Sequence, residues 1–257
     1  MNDTLRVLDN RRSLRGYDPR PISEEHKEQI LYSMFRAPTA GNMMHYSVIE
    51  VADQKMKDKL VTTCDNQPFI AKAPLVLLFL ADVQRWYDLF EYSGVPELCK
   101  ERGLDYVAPQ ESDLFLACCD ALIAAQNAVI AAEALGIGSC YIGDIMENFE
   151  THREMFGLPK YAFPIALLCF GYPMREDREV REKSPRFPER FVYSKNKYQR
   201  ARSNDFEATL IERFKGVNDL LKDAKNIGQV IYIRKTGAPF SAEMRRSVKV
   251  ALKDWSG

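Results

Sequence analysis

The segment from Ser112 to Leu135 constrains the fold of this chain most, because its pattern is that of a long helix buried on most sides. Nearly all of its residues are apolar and many are alanine, which permits close approach of another helix. Gly136 then supplies a C-terminal stop. Polar residues recur about every seventh position, at Asp113, Asp120, Gln126, Asn127 and Glu133. We therefore predict a helix at the centre of a domain or of a dimer.

Composition and charge exclude several classes of protein. The chain has 257 residues, 46% of them hydrophobic, which is enough for one sizeable core. Its 36 basic and 36 acidic residues cancel, so no overall field attracts nucleic acid or an anionic membrane. The apolar runs 73–81 and 161–170 are too short to span a bilayer and are predicted to be buried strands. Without a long apolar stretch at the start, we expect a cytoplasmic protein.

The metal-binding side chains show no ligand pattern. The six cysteines contain no Cys-x-x-Cys pair, and several lie inside apolar runs, which favours buried free thiols over metal ligands. The three histidines, His26, His45 and His152, are far apart. We predict no metal site.

Caps and hydrophobic periodicity predict the remaining elements. Ser23 is expected to cap a helix that runs to about Phe35, and a surface helix is expected from Asp53 to about Cys64. Two further strands are predicted at 46–51 and 230–234, and the strands within the two apolar runs are placed at 75–80 and 164–170. A broken helical stretch is predicted at 82–102, and amphipathic helices at 206–221 and 244–255.

The glycines after the central helix do not form a dinucleotide-binding fingerprint. The run from Gly136 to Gly143 has the spacing G-x-G-x-x-x-x-G and follows a helix, whereas the fingerprint G-x-G-x-x-G needs a preceding strand. The chain has no Walker loop either. We therefore do not predict a Rossmann domain.

Two short segments have the chemistry of a phosphate and ring-binding site. Arg11-Arg12-Ser13-Leu14-Arg15 places three guanidiniums and a hydroxyl within five residues, and arginine grips phosphate bidentately. Ala37-Pro38-Thr39-Ala40-Gly41-Asn42 is a turn of small residues that lets backbone approach a flat ligand. Taken alone, the basic cluster is more often a solvated turn.

Five motifs in order change that interpretation. They are Arg11–Arg15, Pro38–Asn42, Asn66–Pro74, Gly136–Gly143, and Gly171-Tyr172-Pro173 followed by Pro185-Arg186. With them the chain resembles the FMN-dependent nitroreductases, also called NAD(P)H–flavin oxidoreductases, over about residues 3 to 198. The resemblance implies an α+β, three-layer fold with a central, mainly antiparallel sheet flanked by helices. Residues 1–198 would form the FMN-binding domain. Residues 199–257 would be a C-terminal helical extension that packs on the dimer and has no counterpart in the family core.

The resemblance also implies a role for each site residue, with the FMN site at a homodimer interface. The phosphate would be held by Arg11, Ser13 and Arg186, with Lys183 assisting and Arg12 near the ribityl-phosphate end. Arg15 would stabilise charge at the N1–C2 edge of the isoalloxazine, and Gln67 would bond its pyrimidine edge. The partner subunit would line the flavin with Pro38, Thr39, Ala40 and Asn42. The segment Tyr141, Ile142, Gly143 and Asp144 would complete the cofactor site, its backbone N–H groups facing N5 and O4.

Two positions depart from the family pattern. Met43-Met44-His45-Tyr46 stands where a Gln-Pro-Trp-like run is frequent, which favours a more apolar pocket wall. Asp144 stands where glycine is common and would add a carboxylate on the N5 side of the flavin.

The expected activity is transfer of electrons from NADH or NADPH to a nitroaromatic, quinone or flavin acceptor by a ping-pong mechanism. No catalytic side chain is expected besides Arg15, because the flavin carries the chemistry. Two alternatives stay open. One is an FMN-dependent reductive dehalogenase or substrate dehydrogenase. The other is a non-catalytic flavin-binding protein, in which residues 200–257 would cover the flavin site.

Overall fold

The computed structural model describes residues 1–174, 186–213 and 224–256. Two compact units are present: Met1–Arg181 together with Glu243–Gly257 form the first, and Glu182–Ala242 form the second. The predicted division at residue 198 differs from this grouping, because the C-terminal residues join the first unit.

The first unit is built on a four-stranded antiparallel sheet. Its strands are β1 (Tyr46–Glu50), β2 (Leu75–Asp82), β3 (Gly138–Ile142) and β4 (Ala162–Gly171), in the order β1–β2–β4–β3. All eight residues of β2 are buried. A strand covered on both faces needs a continuous apolar run, which is why the runs at 73–81 and 161–170 predicted strands correctly.

Helices cover both faces of the sheet. The helices of this unit are α1 (Asp3–Asn10), α2 (Glu24–Phe35), α3 (Gln54–Thr63), α4 (Phe69–Lys72), α5 (Gln84–Tyr92), α6 (Val95–Glu101), α7 (Glu111–Ala134), α8 (Phe149–Phe156) and, from Glu243 onward, α11 (Pro239–Ser256). Alternate side chains of β2 enter different cores: Leu75, Leu77 and Phe79 pack with α2 and α7, and Val76, Leu78 and Leu80 with α3 and α4. The predicted three-layer α+β fold is confirmed.

The central helix is α7. A capping box between Gln110 and Asp113 begins it, and Gly136 ends it with a φ of +72°. There the N–H of Ile137 donates to the Ala132 carbonyl at 2.8 Å, a turn that needs a left-handed residue between them. Among the residues that the structure describes, α7 is the one helix long and apolar enough to cross a membrane, and 44% of its apolar window is buried inside the protein.

The second unit contains α9 (Ser203–Arg213) and α10 (Ile227–Ile231), followed by a π-helical turn at Tyr232–Thr236 and the start of α11. The strand predicted at 230–234 is therefore wrong. The Asn226 side chain accepts from the Gln229 N–H and starts a helix, and Val230 packs with Leu210 in a small core. A cap and tertiary packing outweigh the β-propensity of the sequence. The first amphipathic stripe is helical through Arg213, and the rest of it, 214–221, lies outside the described residues.

Candidate functional site

The arginine segment is attached to the edge strand β3. The N–H of Leu14 donates to the Ser139 carbonyl at 2.8 Å, and Ser13 and Ser139 form a parallel bridge. A Cβ at Gly138 would lie 2.5 Å from Leu14 Cδ2, so only glycine lets the segment approach this closely. The fold thus holds a polar, cationic segment rigidly against a buried sheet.

Tyr17 secures the other end of this segment. Its hydroxyl donates to the Leu14 carbonyl at 2.9 Å, and burial raises its pKa far above the usual value, so it stays a neutral donor. Its ring covers Gly171, where a Cβ would lie 2.6 Å from Tyr17 Cδ1. Gly138 on β3 and Gly171 on β4 therefore leave the space that Leu14 and Tyr17 occupy, and so allow the arginine segment to lie against the sheet.

The cations of this segment have no ion-pair partner among the residues that the structure describes. Among the described residues, no carboxylate lies within ion-pair distance of Arg11, Arg12 or Arg15. Arg12 Nη1 is buried and has no hydrogen-bond acceptor. A buried unsatisfied donor costs about 1–3 kcal/mol, and more when it is charged. The geometry therefore suits an anion that supplies acceptors.

Several predicted site residues lie close enough to the Cys140 thiol to change its pKa. Burial raises its pKa, whereas the charges of Arg15 and Arg11 and a hydrogen bond with Ser13 lower it, and the charge of Asp144 raises it again. Three residues of the arginine segment and Asp144 therefore surround one side chain of β3. Because Ser13 pairs with Ser139 at the edge of the sheet, residues about 130 positions apart in sequence lie side by side.

Gln67 joins this group from the loop before α4. Its Nε2 donates to the Cys64 carbonyl at 3.0 Å and to Asp144 Oδ2 at 2.7 Å. The guanidinium carbon of Arg15 lies 5.8 Å from the centroid of the Phe69 ring, two residues beyond Gln67. One edge of the site thus carries an amide, a carboxylate and a guanidinium.

The turn at 38–44 is held by α7 and α5. Asp120 Oδ1 accepts from the Ala40 N–H at 3.0 Å and Oδ2 from the His45 N–H at 3.1 Å, while the Trp86 indole donates to the Met43 carbonyl at 2.8 Å. Gly41, Asn42 and Met44 have positive φ values of 56°, 58° and 50°. Sequence reasoning missed Asp120 and Trp86. A lone acid in an alanine-rich helix was the available signal for the first.

The arginine segment and the turn lie at different positions along α7, the turn near its middle and the arginine segment near its C-terminal end. Asp120 holds the turn, whereas Glu133 lies near Arg11 and Arg12, whose charges oppose the rise that burial imposes on the pKa of Glu133. Thirteen residues of helix correspond to about 20 Å along its axis. Within one chain, the structure does not bring these two predicted parts of the site together.

The other predicted residues are distributed as follows. Tyr141 is 37% exposed, burial raises its pKa to about 12, and its hydroxyl donates to Gln126 Oε1 at 3.4 Å. Ile142 is buried in the core, so only its backbone can face a ligand. Gly143 is exposed and begins a 3-10 turn, Gly143–Met146. Arg186 is an exposed residue of the second unit, and Lys183 lies outside the described residues.

Glu147 is a buried acid that sequence reasoning also missed. It is 4% exposed, and its Oε1 has no hydrogen-bond partner. Burial, together with the hydrogen bond and charge of Asp144, raises the pKa of Glu147 to about 8. Such shifts are frequent at functional sites.

Comparisons with known proteins identify the family of this chain. A sequence model of the nitroreductase family matches residues 8–172. "FMN reductase (NADPH)" of Bacillus subtilis is 30% identical over 88% of this chain and 86% of its own length. "Oxygen-insensitive NADPH nitroreductase" of Salmonella typhimurium is 29% identical over 77% and 76%. The chain belongs to the nitroreductase family, a class of oxidoreductases.

Solved structures extend the likeness beyond the family core. The NfrA1 nitroreductase from B. subtilis superimposes with a TM-score of 0.78 at 26% identity, covering 99% of this chain and 98% of that one. The family model ends at residue 172, but this relative has a counterpart for nearly all later residues. The segment after residue 200 therefore lies outside the family model, as expected, and this relative nevertheless has a counterpart for it.

Proposed function

We propose that this protein binds FMN and passes electrons from NADH or NADPH to a nitroaromatic, quinone or flavin acceptor. The observation that carries the proposal is the buried, unpartnered Arg12 Nη1 within a guanidinium cluster pinned to β3. A phosphate monoester supplies the acceptors and the charge that this cluster lacks. The names of the relatives, FMN reductase and NADPH nitroreductase, support the same function.

The residues present fit FMN part by part. Arg11, Arg12 and Ser13 would hold the phosphate, with Arg186 and Lys183 as further candidates. Arg15, Gln67 and the turn that begins at Gly143 would face the isoalloxazine ring. When bound, FMN would supply hydride acceptance from the nicotinamide and electron donation to the acceptor. Arg15 would place positive charge where the reduced ring is electron-rich.

A second copy of the chain would complete the site. One face of α7 exposes large apolar side chains. Phe115 is 67% and Leu116 45% exposed, and Leu122 and Ile123 are slightly less exposed than Leu116. We propose that these faces pair in a homodimer. The partner's turn of Pro38, Thr39, Ala40 and Asn42 would then reach the flavin that the arginine segment of the first chain holds. Residues 199–257 are proposed to pack on this dimer.

The pocket wall beside the ring would be apolar at Met43 and Met44, which suits a flat aromatic acceptor. Because donor and acceptor would occupy the same place in turn, we propose ping-pong kinetics. Both substrates are small molecules. A cytoplasmic location, without nucleic-acid or membrane partners, stays a prediction.

Cofactor content and steady-state kinetics test the proposal. The purified protein is expected to be yellow and to release FMN, and NADPH oxidation with a quinone acceptor should give parallel double-reciprocal lines. Release of FAD, or no affinity for FMN, would contradict the cofactor. Intersecting lines would contradict the ping-pong scheme, and bound FMN that no nicotinamide reduces would favour the alternative activities.

A further inference from the structure

The exposed residues of α7 form a stripe that carries no charge. Between residues 112 and 126 the exposed positions recur with helical periodicity, and we call them the α7 stripe: Ser112, Phe115, Leu116, Cys119, Leu122, Ile123 and Gln126. The acids of the helix lie toward its two ends, with Glu111 and Asp113 in the first turn and Glu133 in the last. An apolar centre with charged groups at its margin is the composition of a protein–protein interface.

The α7 stripe is symmetric about Cys119. Phe115 and Ile123 lie four residues to either side of it, and Leu116 and Leu122 lie three residues to either side. These two pairs form an i±4 row and an i±3 row of the helix surface, and the two rows cross at Cys119. The stripe therefore presents large, small and large side chains in the same order from either end.

This symmetry favours a second copy of the chain over a lipid bilayer as the occupant of the stripe. Although α7 is apolar enough to cross a membrane, 44% of its apolar window is buried inside the protein. The carboxylates of Glu111, Asp113 and Glu133 oppose insertion into lipid. A contact about a two-fold axis needs a surface that is complementary to itself. The stripe meets that condition when two helices lie antiparallel.

We propose that two copies of α7 cross antiparallel at Cys119, on the two-fold axis of the dimer, so that the two Cys119 thiols lie against each other. This inference rests on the homodimer of the proposed function and adds its register. Phe115 would pack on the partner's Ile123, and Leu116 on the partner's Leu122. The small side chain at the crossing lets the helices approach closely, while the large residues on both sides fill the contact.

The same register connects the dimer contact to β3. Ser112 would lie against the partner's Gln126, and a hydroxyl and an amide can exchange hydrogen bonds. Within each chain, Gln126 Oε1 accepts from the Tyr141 hydroxyl at 3.4 Å. Tyr141 belongs to β3, whose edge holds the arginine segment. Each end of the stripe would thus meet the strand that supports the proposed phosphate site.

Oxidative cross-linking tests the crossing point. Diamide converts two adjacent thiols to a disulfide, and its N=N bond takes up the two protons and two electrons that the thiols lose. Wild-type protein treated with diamide should migrate as a covalent dimer in electrophoresis without reducing agent, and Cys119→Ser should lose this product. The matched control is Cys99→Ser, at a partly buried thiol of α6, which should cross-link like the wild type.

Engineered thiols test the direction of pairing. In the Cys119→Ser background, Leu116→Cys combined with Leu122→Cys should restore the covalent dimer, because these positions face each other in antiparallel helices. Leu116→Cys alone should not restore it, since its two copies would be six residues, about 9 Å, apart along the helices. Ser112→Cys alone controls for random collisions, because its two copies would be about 21 Å apart.

Sedimentation of the same proteins separates this inference from the homodimer. Cys119→Ser should remain a dimer, because a hydroxyl replaces a thiol of similar size. A wild-type dimer that diamide does not link through Cys119, or strong linking of Leu116→Cys or Ser112→Cys alone, would overturn the antiparallel crossing and leave the homodimer intact. Monomeric wild-type protein would overturn both, and its binding to phosphatidylcholine vesicles would assign the stripe to a bilayer instead.

Discussion

At the scale of single residues, buried acids position the parts of the site that carry no charge of their own. Asp120 is 2% exposed and accepts two backbone N–H groups of the turn, from Ala40 and His45. Those residues are 80 and 75 positions away in sequence. One carboxylate therefore fixes both ends of a turn whose own backbone includes several left-handed residues.

Asp120→Ala should lower stability and loosen this turn. Two charge-assisted hydrogen bonds are lost and two donors are left without acceptors, so we expect a loss of about 2–4 kcal/mol in the free energy of unfolding. FMN affinity should also fall if the turn lines the flavin. Urea unfolding and flavin titration measure the two effects.

The matched control is Ser112→Ala, an exposed position on the same helix, which should leave both quantities unchanged. If Asp120→Ala binds FMN as tightly as wild type, the turn does not contact the flavin.

At the scale of elements, the apolar helix α7 has two different faces, one buried inside the chain and one exposed. Its alanines, such as Ala121 and Ala128, are fully buried against the sheet and α2. Its larger residues, such as Phe115 and Leu122, remain exposed on the other side. Small residues permit close packing within the chain, and large ones supply area for a partner.

If the proposed homodimer forms through this face of α7, Glu substitution at Phe115 or Leu122 should convert it to monomers. A charge placed at an apolar interface must be desolvated without a partner. Analytical ultracentrifugation measures the mass. FMN affinity should fall together with dimerisation, because each site of the proposed homodimer would include residues of both chains.

Leu104→Glu is the control, since Leu104 is 59% exposed but lies outside α7. Dimers that persist in both α7 variants would show that another surface joins the subunits.

At the scale of the whole molecule, the end of the chain returns to the first unit. Trp255 is 2% exposed, its ring meets Tyr161 edge-on at 5.4 Å, and its indole donates to the Gln110 carbonyl at 3.0 Å. Glu243 and Ser247 accept from the N–H groups of Asn148 and Phe149 at the start of α8. The last helix thus caps α8 and closes one core.

Trp255→Ala should destabilise the protein by about 3–5 kcal/mol, since it empties a core site and orphans a carbonyl. Urea unfolding measures this. Lys253→Ala, exposed on the same helix, should cost less than about 0.5 kcal/mol. Equal stability of the two variants would show that the C-terminal helix does not support the first unit.

Much of the fold could be predicted because its signals are local. The apolar runs at β2 and β4, the Ser23 cap and the Gly136 stop each act within a few residues, and the structure confirms them. The strand predicted at 230–234 was wrong because packing with residues distant in sequence outweighs the local pattern there. Its Val230 and Ile231 pack in a small core of the second unit, and the Asn226 cap starts a helix.

For this protein, the sequence by itself determined the family, the antiparallel α+β core and the arginine cluster that we propose as a phosphate site. These depend on residue types at short spacing. Only the tertiary structure decided that Asp120 holds the turn, that Gln67 faces Asp144, and that Glu147 is a buried acid. Such contacts join residues from different elements, and their distances and solvation are set by strand register and helix packing, which no local pattern encodes.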